Sequence, residues 1–161
     1  MVYNDLPPLE KNRTCAVSGH RILSPSFNKE KLSSDLEKII NRGFNIFLIG
    51  MATGFDLACF SALLDLKAKY PELKLTAVIP CQNQSYKYTT ENKLLYDKMV
   101  RLADYKVILF DKYENGCMLK RNDFLIANSS LLYAYYLNSG RGGTFYTINR
   151  AKKEGIPVIF Y

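Results

Sequence analysis

The sequence has no tryptophan, one histidine (His20) and four cysteines in 161 residues. Cys15, Cys59, Cys81 and Cys117 form no CxxC pair, and with a single histidine they give no tetrahedral ligand spacing, so no metal site is expected. No apolar run approaches the ~20 residues that a membrane helix needs. The opening Met1-Val2-Tyr3-Asn4-Asp5 has neither the basic start nor the apolar core of a secretory signal. No membrane association is expected, and the expected setting is a reducing cytoplasm. Low-complexity tracts and internal repeats are also missing, so disorder is expected no further than residues 1–12.

What is present suits one globular domain spanning 1–161. Apolar residues make up 48% of the chain, enough to bury a sizeable core at this length. The 22 Lys and Arg exceed the 15 Asp and Glu, giving +7, a balance that would suit a polyanion such as nucleic acid. The distribution points the other way. Basic residues are spread along the chain and often sit beside acids, as in Lys29-Glu30-Lys31 and Lys152-Lys153-Glu154, which is the pattern of a solvated surface. Nucleic acid is therefore not the favoured partner.

Short apolar runs alternate with helical patterns. Strands are expected at 14–18, 45–49, 74–79, 106–110, 131–136 and in the closing IPVIFY. Helices are expected from Asn28 to Gly43, from Phe55 or Asp56 to Tyr70, from Thr90 to Ala103, from Lys120 to Ala127, and from SGRGGT to Lys153. Strands that are apolar throughout and alternate with helices indicate an α/β, Rossmann-like, doubly wound and mainly parallel sheet of about six strands, with helices on both faces. In such sheets ligands lie beyond the carboxyl ends of the strands. The polar and glycine-rich segments SGHR, GMATGFD, PCQNQ and SGRGGT fall at those ends.

Each segment has a definable chemistry. In SGRGGT, Gly140, Gly142 and Gly143 would let an anion approach the N–H groups at the positive end of a helix, with Arg141 and Thr144 as further donors. It is neither a Walker loop nor a full GxGxxG fingerprint. In GMATGFD, Gly50 and Gly54 offer backbone that a flat or anionic ligand could reach, while Asp56 fits either a helix cap or a contact to ribose hydroxyls. Gly19, His20 and Arg21 follow the first strand, where a guanidinium can hold phosphate and an imidazole can donate or stack. Arg121 and Asn122 are a comparable pair early in a short helix. YAYY reads as strand residues filling a sheet.

The order of these motifs resembles the SLOG superfamily, named for the SMF/DprA and LOG proteins. SGHR, the GxAxGxD pattern filled by Gly50, Ala52, Gly54 and Asp56, and the late glycine-threonine helix start carry the likeness. Pro80 with Gln84, Lys120-Arg121-Asn122 and Gly142-Gly143-Thr144 place it nearest the stand-alone YpsA/YoqJ-type proteins, over residues 14–160 or so. The resemblance implies a Rossmann-like fold that binds a nucleotide or nucleotide-derived ligand, such as an ADP-ribose-like or signalling nucleotide, with a sensing role. No separate cofactor is expected.

Two alternatives come with the family. LOG enzymes, which cleave a base from a nucleoside monophosphate, carry a motif resembling GGxGTxxE, and here the glutamate position holds Thr147. An N-glycosidase would need another acid, for which Asp56 is the best candidate, with Asp111 and Glu114 on neighbouring loops. The DprA branch raises single-stranded DNA binding, which twelve tyrosines and the charge of +7 permit, although no segment interleaves basic and aromatic residues as that would require. A homo-oligomer is compatible with the sequence.

Overall fold

The computed structural model describes residues 10–161 and the backbone of residues 3–4. Its strands are β1 (Tyr3–Asn4), β2 (Thr14–Gly19), β3 (Ile46–Ile49), β4 (Lys74–Cys81), β5 (Tyr105–Phe110), β6 (Leu131–Tyr135) and β7 (Val158–Phe160). Its helices are α1 (Lys29–Asn41), α2 (Phe55–Leu66), α3 (Thr90–Leu102), α4 (Cys117–Ala127) and α5 (Gly143–Lys153), with single 3-10 turns at Lys11–Arg13 and Gln84–Lys87. Of the segment 1–12, Tyr3–Asn4 pair antiparallel with β5 and Lys11–Arg13 form a turn, while residues 1–2 and 5–9 lie outside the described residues.

The sheet order is β1-β5-β4-β3-β2-β6-β7, and β2 through β7 are parallel. This is the doubly wound, Rossmann-like α/β sheet expected from the apolar runs. The chain winds outward from β2 through β3, β4 and β5, then returns to place β6 on the other side of β2. The strand order therefore reverses at β2, and the crevice at its carboxyl end is the place where such sheets bind ligands.

Both faces are covered, which is why the strands are apolar without alternation. On one face Val17, Phe47, Ile49 and Tyr133 pack with Leu36, Phe60 and Leu63 under α1 and α2. On the other, Ala16, Leu48, Val78 and Leu132 pack with Leu125, Ile126 and Ile148 under α4 and α5. All four cysteines are buried free thiols. Among the described residues no helix is long and apolar enough to cross a membrane.

The helix starts divide into two kinds. Asn28 and Thr89 cap α1 and α3 with side-chain oxygens that accept from Lys31 N–H at 2.8 Å and Asn92 N–H at 3.3 Å. By contrast α2, α4 and α5 begin behind Gly54, Gly116 and Gly142 with no side-chain cap. The sequence pattern starts α4 at Lys120, but the helix begins at Cys117, because Gly116 takes the left-handed conformation (φ 82°) that turns the chain into it. That signal is a lone glycine in a polar loop.

Gly54 holds the sheet edge together. Its φ is 79°, and a Cβ there would overlap the carbonyls of His20 and Arg21, so the turn after β3 lies directly on the loop after β2. Phe55 N–H donates to His20 C=O at 3.1 Å across the same contact. Gly43, after α1, also has positive φ (100°) but faces open space. Gly43→Ala should therefore cost about 1–2 kcal/mol from backbone strain alone. Gly54→Ala should cost clearly more, since backbone must also move. Urea denaturation of the two variants measures the difference.

Candidate functional site

The loops after β2 and β3 meet the starts of α4 and α5 around a cleft of about 250 Å³. Nine of the fourteen residues singled out in the sequence line it: Gly19, His20, Arg21, Ala52, Asp56, Arg121, Asn122, Gly143 and Thr144. Gly50 lies just behind the wall, Gly54 packs beneath Arg21, and Gly140, Arg141 and Gly142 stand in the exposed approach to α5.

Gly50 has a structural duty. A Cβ at this position would overlap the Arg121 guanidinium, and the Gly50 carbonyl accepts from both Arg121 Nη1 and Gln84 Nε2, the latter at 2.9 Å. Arg121, on α4, is only 5% exposed. Its Nε donates to Asn122 Oδ1 at 2.7 Å, and Asn122 Nδ2 in turn donates to Gly143 C=O at 3.4 Å. One chain of hydrogen bonds thus joins the GMATGFD loop, α4 and the start of α5. The loop is held further by Tyr88, whose hydroxyl donates to Met51 C=O at 3.1 Å. Met51 is a buried non-glycine residue at φ 62°, a strained conformation of the kind that persists where surrounding contacts over-determine it.

Asp56 is 4% exposed and sits in the first turn of α2. It does not cap that helix. Oδ2 reaches back to accept from Ala52 N–H at 3.1 Å, and Oδ1 is buried without a partner. Burial pushes its pKa up to about 6, against the opposing pull of the Arg121 guanidinium, the Ala52 hydrogen bond and Arg21. Arg121 is shifted downward by burial, with Asp56 opposing that shift. The cleft therefore holds a cation anchored to the protein through Nε and Nη1 and a carboxylate oxygen with bonding capacity left over.

His20 links two loops. Its Nε2 accepts from Leu137 N–H at 2.8 Å, so the neutral ring carries its proton on Nδ1, and it packs against Tyr136 with ring centroids 5.5 Å apart. In the approach to α5, Gly140 N–H donates to the Tyr136 hydroxyl at 2.6 Å and Ser139 Oγ donates to Arg141 C=O at 3.0 Å. With no side-chain cap and no acid in its first turn, the start of α5 presents bare N–H groups at the positive end of the helix dipole. Thr147 is fully buried, with its hydroxyl donating to Gly143 C=O at 2.8 Å. Asp111 and Glu114 are exposed and do not line the cleft, leaving Asp56 as its one carboxylate among the described residues. Among the described residues no three His, Cys, Asp or Glu side chains gather as a metal site.

Sequence reasoning missed Ser18, Met118 and Leu119 in this wall. It also missed a larger cleft of about 560 Å³ that adjoins the first at Arg21 and Met118 and runs along the Gln84–Lys87 turn. Gln84 was noted only as part of a motif, and the tyrosines around it had no periodicity that could mark them.

The family model described as the YspA SLOG family matches residues 24–156. Over 138 residues the chain is 28% identical to the UPF0398 protein YpsA of Bacillus subtilis, covering 82% of this chain and 77% of that one. It is 30% identical, also over 138 residues, to the SPbeta prophage-derived protein YoqJ of the same organism, covering 78% and 80%. Among solved structures it resembles DNA processing protein A of Helicobacter pylori, described for its mode of single-stranded DNA binding (TM-score 0.71, 19% identity, 94% of this chain and 66% of that one). It likewise resembles DprA of Streptococcus pneumoniae (TM-score 0.64, 23% identity, 94% and 51%). The chain thus spans between half and two thirds of the length of those proteins, and at these identities the likeness is one of fold. The fold is of the kind found in nucleotide- and DNA-binding proteins, and the chain belongs to the YpsA-type SLOG family.

Proposed function

We propose that this protein binds a ribonucleotide or a ribonucleotide-derived molecule in the cleft between the loops after β2 and β3 and the starts of α4 and α5, as a sensor or carrier of that ligand. The observation that carries the reading is Asp56 Oδ1, a buried carboxylate oxygen without a hydrogen-bond donor in a cleft of otherwise neutral or cationic lining. Leaving such an atom unpaired costs the fold free energy, and groups of this kind are kept where function uses them. A ribose hydroxyl supplies the donor. A bare phosphate does not, and would be repelled.

The phosphate belongs elsewhere in the same cleft, at the uncapped start of α5, where Gly143 and Thr144 offer backbone N–H groups and Arg21 stands exposed at the rim. The same division of labour, phosphate on a helix start and sugar on a carboxylate, is general to dinucleotide-binding sheets. The 2′-hydroxyl is what a DNA strand lacks, so an unpaired Asp56 Oδ1 favours a ribonucleotide over DNA. It also favours binding over cleavage, since one buried carboxylate, with Thr147 in place of a second acid, provides no acid–base pair.

Isothermal titration with ribonucleotides, their 2′-deoxy and 3′-deoxy counterparts and ADP-ribose tests the proposal. Saturable binding is expected for at least one ribonucleotide, weakened about tenfold by Asp56→Asn or by loss of the hydroxyl that Asp56 holds, the worth of a hydrogen bond to a charged group. Chromatography of the same samples should show no released base. If no ribonucleotide binds at millimolar concentration, the reading fails.

Asp56 also leaves a pH signature on stability. Its folded pKa of about 6 lies above the ordinary carboxyl value near 4. Between those two values the folded chain keeps a proton that the unfolded chain has released, so this group's contribution to stability falls as pH rises through the window. The loss is complete above about pH 7 and amounts to about 3 kcal/mol at most. Asp56→Asn carries no such dependence. Its stability relative to the native chain should therefore rise by about 2–3 kcal/mol between about pH 4 and pH 7.5 in urea denaturation. A pH-independent difference would show that Asp56 titrates normally.

A further inference from the structure

The first cleft, at about 250 Å³, is smaller than the roughly 300–1,000 Å³ of sites that enclose small organic ligands. A nucleotide held there must extend out of it. The adjoining cleft of about 560 Å³ shares the Arg21 and Met118 walls and gives it somewhere to go. Among the described residues no carboxylate lines this second space, and its charged side chains are Arg21 and Lys87.

Two tyrosines in its wall are unusually open for their size. Tyr86 is 78% and Tyr113 59% exposed, whereas the neighbouring Tyr88 is tied into the fold through Met51 C=O and an edge-on contact with Tyr96. Beside them, Gln84 is 7% exposed, with Nε2 on Gly50 C=O and a buried Oε1 that has no partner. Asn83 and Asn92 add amides to the same wall. Aromatic faces next to amides, with cations and no acid, match a nucleobase, which has a π face for stacking and a donor–acceptor edge for reading.

We propose that this second cleft is a nucleobase subsite, in which the base stacks on Tyr86 and Tyr113 and its edge meets the amides of Asn83 and Gln84, while its sugar and phosphate occupy the first cleft. The inference rests on the ribonucleotide reading above and adds to it the part of the ligand that the first cleft cannot hold. The test compares the four ribonucleoside 5′-monophosphates with ribose 5-phosphate by isothermal titration, on the native chain and on Tyr86→Ala, Tyr113→Ala and Tyr86→Trp.

The tightest nucleotide is expected to bind about tenfold or more above ribose 5-phosphate. Each alanine variant should remove most of that advantage while leaving ribose 5-phosphate unaffected, and exposed positions of this kind should not disturb folding. Tyr86→Trp should retain the advantage. Because the chain has no other tryptophan, its fluorescence should be quenched by the nucleotide and unchanged by ribose 5-phosphate. Equal affinity for nucleotide and ribose 5-phosphate, or nucleotide binding indifferent to both alanine variants, overturns the base subsite and leaves the sugar–phosphate site standing. Absence of binding by every probe overturns both.

Discussion

The carbonyl of Gly50 is the point on which the site depends. It takes hydrogen bonds from a buried guanidinium on α4 and from a buried amide on the turn after β4, and it can do so because glycine leaves Arg121 room to approach. Through Arg121 the contact continues to Asn122 and the start of α5. Three segments far apart in sequence are thereby held in register at one edge of the sheet. A hydrogen bond to a charged donor in a buried place is stronger than a neutral one and very costly to break, so this edge is set before any ligand arrives.

That rigidity gives Asp56 its character. With Arg121 engaged by Gly50 and Asn122, the carboxylate beside it is compensated by charge but not by a full set of hydrogen bonds, and burial wins over attraction in setting its pKa. A group in this state lowers stability at neutral pH and raises the reward for a ligand that can donate to it. On the proposed reading, function and fold pull in opposite directions at this residue, as they often do at binding sites.

Much of the fold was legible in the sequence because its signals are local. Four-to-eight-residue apolar runs and helix periodicity located the six parallel strands and five helices of the described residues, and the clustering of glycine at strand ends marked the end of the sheet where the cleft lies. The part that could not be read depends on contacts between distant residues. Gly50 and Gly54 look like openings for a ligand, yet the space beside them is filled by Arg121 and by the backbone of residues 20–21. Arg121 looks like a surface residue because nothing within α4 reveals its partner 71 positions earlier. Tyr86 and Tyr113 come from separate loops and share a wall only once β4 and β5 lie side by side. For Asp56 the sequence leaves helix cap and ribose contact equally open, and the choice between cap and free acceptor needed the bond to Ala52.

Backbone amide shifts recorded by NMR during titration with ADP-ribose, which carries ribose, phosphate and base together, test most directly whether these two clefts form one nucleotide site. The account predicts saturable shifts concentrated in residues 18–21, 52–56, 83–88 and 143–145, with the sheet's opposite edge silent. Shifts confined to another surface, or none at millimolar ligand, would contradict it.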